Sequence, residues 1–281
     1  MNVRNIISKH PVISFFTLTY LINWIGFSLH SAGLFPAIYE LPLIYNENVV
    51  AVFRVRRTLL NWAPNFAAMI VIGTTHGWSG IYNLFKKFTI WRVGIKLWIR
   101  ALLIPVLISI AAIFLHSSIG GKIDLSLISC LPMIFLLRFC FSLSTGGIGE
   151  EAGWRGFALP IMQKRFGAFG ASLLIGFVWA FLHMPMWFLR QWDILTITYF
   201  VVAVICLSIL LTWFYNKTNG SLLIVAVVHG MFNILDATLS NSYAAVISRE
   251  DYMLMFMLIM CISSILILYV TKGRLGYKIK Q

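Results

Sequence analysis

The sequence predicts an all-α fold, a polytopic membrane helix bundle of about eight transmembrane helices around an interior polar active site. Three observations carry this reading. Of 281 residues, 60% are apolar and 11% are charged, where soluble domains have roughly 45–50% and about 25%. Mean hydropathy is +0.87. The apolar residues gather in eight stretches, at 11–33, 58–75, 96–118, 126–148, 167–189, 194–215, 219–239 and 252–271. Each approaches the roughly 20 residues that cross a bilayer. Little chain remains for a soluble domain, so residues 1–281 read as one integral membrane domain.

In the first stretch, Arg4 and Lys9 precede an apolar run that is too long for a cleaved signal and lacks a small-residue cleavage site. It reads as an uncleaved span. The second is the most broken, by Asn61, Pro64 and Asn65. Between it and the third, residues 77–95 mix Trp78, Tyr82, Phe85, Phe88 and Trp91 with Lys86, Lys87 and Arg92, which suits a helix lying among lipid headgroups. The remaining stretches follow with short connections. Cys130, Cys140, Cys206 and Cys261 all lie in apolar stretches without CxxC spacing, so they read as small hydrophobes rather than disulfides or zinc thiolates.

Charge sets the orientation. With a cytoplasmic amino terminus, 15 basic residues fall in cytoplasmic loops and tails and six in the opposite loops. The bias favours both termini in the cytoplasm, and the cluster Arg54, Arg56 and Arg57 on the other side runs against it. The net charge of +13 is thus spread between spans, with no aromatic-interleaved basic patch, and nucleic-acid binding is not expected.

Polar chemistry is scarce, which makes its placement informative. Two of only nine acids, Glu150 and Glu151, are adjacent at the end of an apolar stretch, within Gly-Gly-Ile-Gly-Glu-Glu-Ala-Gly-Trp-Arg at 146–155. A charge at membrane depth costs at least about 2.5 kcal/mol on insertion scales and is usually paired or functional. Glu151 and Arg155 are i,i+4 neighbours with the acid first, the better order for an ion pair. Glu150 points about 100° away and is left to face a cavity. The plain structural alternative is a helix end snorkelling to the headgroups. His183 lies late in an apolar stretch, four residues after Trp179 and on the same face. His229 and Asn233 are also i,i+4, with Asp236 near the same stripe. Each alone could be a packing or hydrogen-bonding residue. His10, His30, His76 and His116 sit at span ends or in loops. Together, the carboxylates, imidazoles and carboxamide offer a general base, a proton shuttle or metal ligands, and an oxyanion donor. These suit hydrolysis of an acyl bond by activated water. No GxSxG motif occurs, and no serine or cysteine lies beside either histidine as a covalent nucleophile.

The order Glu-Glu-x-x-x-Arg, aromatic-x-x-x-His, His-x-x-x-Asn resembles the CPBP intramembrane proteases, which include type II CAAX prenyl endopeptidases and proteins linked to bacteriocin processing and self-immunity. The resemblance spans a core of about 126–240. It implies that Glu150 and His183 activate water, that His229 and Asn233 stabilise the oxyanion, and that Glu151 and Arg155, with Trp179, support them. Trp179 stands where the family often has phenylalanine. Glu150, His183 and His229 would also satisfy the three-ligand pattern of a catalytic zinc, so both a metal-dependent and a glutamate-driven protease stay open. The implied setting is a bacterial plasma membrane, with membrane lipid as partner and a hydrophobic or lipidated peptide as substrate. The alternatives are a non-proteolytic immunity or scaffold protein, which would not need all these positions, and an ion-coupled transporter, which would show repeat symmetry or broken helices. The basic loops further suggest that water and substrate reach the site from the cytoplasmic side, past Gly149 and Gly153.

Overall fold

The computed structural model describes residues 3–31, 61–124, 132–240 and 246–278, and every regular element within them is helical. A short α1 (Val3–Lys9) leads into α2 (Pro11–Ser31), which begins on a proline. At a first helical position the missing N–H leaves no bond unmade. In α3 (Ala63–Phe85), Pro64 plays the same part, and Gly77 (φ 65°, ψ −161°) breaks the helix. A 3₁₀ turn, Lys86–Thr89, and a short irregular link lead to α4 (Ile95–Ser118). The expected headgroup helix over 77–95 is therefore the end of α3 plus this turn, with Trp78, Tyr82 and Trp91 exposed along it.

Next comes α5 (Pro132–Ser142), continued by a π-helical segment, Leu143–Gly147. A single α-helical turn, α6 (Ile148–Glu151), carries both glutamates. A second π segment, Ala152–Ala158, leads into α7 (Leu159–Leu182), and α8 (Met184–Leu189) follows. Asp193, accepting from Thr196 N at 2.6 Å, caps α9 (Ile194–Lys217). The last two helices are α10 (Leu222–Ser240) and α11 (Arg249–Thr271), the latter capped by Ser248.

Six described helical runs are long and apolar enough to cross a membrane, against the eight stretches expected. The expected second stretch falls in α3, which is not among the six and carries Asn65, Thr74, Thr75, His76 and Ser79. The expected fourth and fifth belong to one 48-residue run, Phe135–Leu182. That run reverses at Gly167 (φ 68°, ψ 173°). A straight helix would hold Glu150 and Trp179 roughly 44 Å apart, yet their side chains are hydrogen-bonded. Broken helices, absent from the sequence reading, thus do occur. Gly77 and Gly167 both face open space rather than the polar interior, so these breaks turn the chain and do not shape a binding site. Residues 54–57, Cys130 and the ends of the 11–33, 58–75 and 126–148 stretches lie outside the described residues.

One end of the bundle gathers three of the described basic segments. Ser221, before α10, donates to Ile90 O at 2.6 Å; Lys87 Nζ donates to Gly156 O at 2.8 Å; and Asn216, at the end of α9, donates to Leu275 O at 3.2 Å. The 86–100 region, the start of α10 and the carboxyl-terminal turn therefore share that end. Burial pushes the Lys87 ammonium below its ordinary pKa, because the charged form is the one desolvation penalises.

Glycines let these helices meet at backbone distance, as membrane helices do where side chains would hold them apart. A Cβ on Gly147 would collide with Ala226 O of α10, and one on Gly153 would come within 2.5 Å of Pro64 O of α3. On Gly73, by contrast, it would make an ordinary 3.4 Å contact with the Ile81 side chain. We expect Gly147→Ala to cost about 1–3 kcal/mol through overpacking, read as a lower melting temperature in detergent. Gly73→Ala should leave the melting temperature close to that of the unmodified chain; equal stability of the two variants would contradict the packing described.

Candidate active site

The two glutamates are buried, Glu150 at 6% exposure and Glu151 at 0%, which removes the snorkelling alternative. Because both sit on the one turn left α-helical between two π segments, their i,i+4 partners are retained. Glu151 Oε1 accepts from Arg155 Nη1 at 3.1 Å. Glu150 has the equivalent neighbour in Trp154, whose Nε1 donates to Oε2 at 3.3 Å. A second indole, Trp179 Nε1 from α7, donates to the same oxygen at 2.6 Å. Glu150 is thus clamped rather than left to face a cavity. Trp154 is the residue the sequence reading passed over, although its spacing from Glu150 matches that of Arg155 from Glu151.

His229 closes the arrangement from α10. Its Nδ1 lies 2.8 Å from Glu151 Oε1. A carboxylate oxygen can only accept here, so Nδ1 carries a proton and Nε2 is directed elsewhere. Nε2 lies beside Gly146, as does Nδ2 of Asn233: a Cβ on Gly146 would stand 3.3 Å from the first and collide with the second. Glycine at 146 therefore leaves room where two nitrogen atoms converge. The Trp179 ring ties the parts together. It meets His229 edge-on at 5.1 Å and carries the Arg155 guanidinium 4.7 Å from its centroid. Arg155 Nε and Nη2 find no acceptor among the described residues, so one ion pair and one ring face hold this guanidinium.

His183 sits at the end of α7, half-buried, with Nδ1 donating to Trp179 O at 2.9 Å and its ring 5.2 Å from Phe200 of α9. The carbonyl fixes the proton on Nδ1 and makes Nε2 the acceptor nitrogen. Its ring is 6.4 Å from that of Trp179, one turn beyond the Glu150 clamp. Asp236 leaves the site altogether: it lies 3.7 Å from Arg249 at the start of α11.

A zinc held by Glu150, His183 and His229 would need their donors to converge on one point. Glu150 Oε2 is taken by two indoles and His183 Nδ1 by a carbonyl, so any coordination would fall to Glu150 Oε1 and His183 Nε2. Among the described residues no three His, Cys, Asp or Glu side chains are gathered to hold an ion. His229 Nδ1 is held by Glu151, and the three side chains are not gathered as ligands of one ion.

Access also differs from the sequence expectation. Every residue from 151 to 159 is buried, whereas Ser144 and Asn233 are exposed and His183 is half-exposed. The first two lie on their helices away from the basic end, and His183 ends α7. The site is closed toward the basic end and open on the opposite flank. Gly149 and Gly153, expected to line the water path, instead pack against Trp62 and Pro64 of the α3 entry.

Residues 131–235 match the family described as Type II CAAX prenyl endopeptidase Rce1-like. The matched region contains Glu150, Glu151, Arg155, Trp179, His183, His229 and Asn233. Over 245 residues the chain is 25% identical to CAAX prenyl protease 2 of Methanococcus maripaludis, an alignment covering 79% of this chain and 81% of that protein. With its helical membrane architecture and its carboxylate–histidine interior, the chain is thus similar to the type II CAAX prenyl endopeptidases over its motif-bearing core.

Proposed function

We propose that this protein is an intramembrane endopeptidase in which Glu150 is the general base for an attacking water. The observation that carries the reading is the double indole clamp on Glu150. Both hydrogen bonds fall on Oε2, which holds the carboxylate in one orientation and leaves Oε1 to take a proton from water. His183, through Nε2, accepts a hydrogen bond from that water and orients it, and the proton taken up by Glu150 passes to the leaving amine. His229 and Asn233 stabilise the tetrahedral oxyanion, since their nitrogens converge beside Gly146. To donate through Nε2 while Nδ1 donates to Glu151, the His229 ring carries both protons, and the Glu151 carboxylate balances that charge. Arg155 then balances Glu151. The substrate is a membrane-associated peptide, and the resemblance to CAAX prenyl proteases makes a carboxyl-terminal prenylated peptide the first one to test.

Purified protein in detergent, given a farnesylated peptide with a CAAX box, should release the terminal fragment as followed by mass spectrometry. Glu150→Gln keeps the shape but cannot take a proton, and it should slow turnover by on the order of a hundred- to ten-thousand-fold. His229→Ala should cost a comparable factor. Turnover near the unmodified level in Glu150→Gln would remove Glu150 from the base role. No cleavage of lipidated or unlipidated membrane peptides by the unmodified protein would sink the protease reading.

Arg155→Ala leaves Glu151 without its cation in a fully buried position. Removing one partner of a buried pair costs about 3–5 kcal/mol. We expect a lowered melting temperature in detergent together with lost activity. An unchanged melting temperature would show that the pair does not contribute as its burial implies.

A further inference from the structure

Outside the family-matched region, one polar side chain reaches the carboxylate turn from another helix. Asn65 enters the bundle in the first turn of α3 and is completely buried. Its Nδ2 donates to Ile148 O at 2.7 Å, and its Oδ1 accepts from Gly153 N at 3.0 Å. Ile148 and Gly153 are five residues apart, the spacing at which a π turn would bond backbone to backbone directly. Here the carboxamide is inserted between them and acts as one extra peptide unit. Its two anchors bracket the site: one lies two residues before Glu150, the other two residues after Glu151. Close packing leaves this insertion little freedom, since Pro64 O touches Gly153 and Trp62 Nε1 donates to Ser144 O at 3.0 Å.

We propose that Asn65 is a positioning residue for the catalytic turn: its carboxamide holds the α-helical turn Ile148–Glu151 in register, so that Glu150 meets Trp179 and Glu151 meets His229. Its hydrogen bonds go to the backbone on either side of the glutamates, not to their side chains. An ordinary interhelical hydrogen bond would join two helices at one point. This one joins two points of the same helix across the reactive pair. The effect belongs on turnover rather than on substrate affinity, because a shift of about 1 Å in a reacting group can cost on the order of a hundredfold. The inference rests on the reading of Glu150 as the base.

The test uses the full-length protein in detergent, with Asn65→Leu removing both hydrogen bonds at similar volume. Two readouts are measured: amide hydrogen exchange over residues 149–157, and steady-state cleavage of the lipidated peptide. Asn65→Leu should speed exchange at 149–157 while leaving α9 and α11 protected. It should lower kcat by on the order of ten- to a hundredfold with KM little changed, the pattern of a lost transition-state geometry. Asn65→Asp keeps the acceptor for Gly153 N–H and loses the donor to Ile148. It should stay slow in exchange at Gly153 but still lose kcat, and it decides the question if Asn65→Leu does not fold. Normal kcat in either folded variant, or unchanged exchange in Asn65→Leu, overturns the proposal. Absence of cleavage by the unmodified protein would instead strike the protease reading, with the exchange arm still deciding the positioning role.

Discussion

Two carboxylates buried side by side in an apolar bundle are the constraint on which the rest of this structure depends. Insertion scales put the penalty for one such charge at about 2.5–3.5 kcal/mol. Hydrogen bonds to a charged group return about 1.5–3 kcal/mol each, so Glu150 with two indole donors can be accommodated and Glu150 alone could not. Glu151 is offset differently, by Arg155 at 3.1 Å and His229 at 2.8 Å. The two acids thus occupy different surroundings, one neutral and aromatic, the other ionic, although they are adjacent in the chain. That difference is what allows neighbouring residues to have different duties.

The backbone is shaped to make this possible. A regular α-helix through 143–158 would carry fewer freed backbone groups and fewer close approaches. The two π segments widen the helix on either side of the glutamates, and glycines at 147 and 153 let α10 and α3 come within backbone distance. Widening also leaves carbonyls for outside partners, and Trp62 and Asn65 take two of them at Ser144 and Ile148. π-Helical turns are tolerated where function repays the poorer hydrogen bonding. Here they place two acidic side chains against two different helices, α7 and α10, at once.

Burial also sets how the site meets its surroundings. Complete enclosure of 151–159 excludes water from the ion pair and from the basic end of the bundle. His229 Nε2 and Asn233 Nδ2 converge beside buried Gly146, and Asn233 itself is exposed. In the proposed reaction, water has to reach Glu150 while being kept from the Glu151–Arg155 pair. Placing the sealed π segment on one side of Glu150 and the more open helix ends on the other separates those two demands.

By itself, the sequence determined the fold class, the membrane setting and which polar residues are candidates for a site. Those features are local or compositional: hydropathy along 20-residue windows, and i,i+4 spacing that survives into Glu151–Arg155 and His229–Asn233. The same local rule reaches Trp154 from Glu150, so that donor was within range of the sequence too. Only the tertiary structure decided the reversal at Gly167, because one glycine in an apolar run carries no direction until helices pack around it. It alone decided that Glu150 is clamped, since Trp179 lies 29 residues away on the returning helix. It alone decided which flank of the site is open, because exposure depends on which helix covers Gly149 and Gly153. Asn65 shows the limit most plainly. In the sequence it is a blemish in a weak span; its meaning comes from partners 83 and 88 residues distant, and no local pattern of side chains encodes a contact of that range.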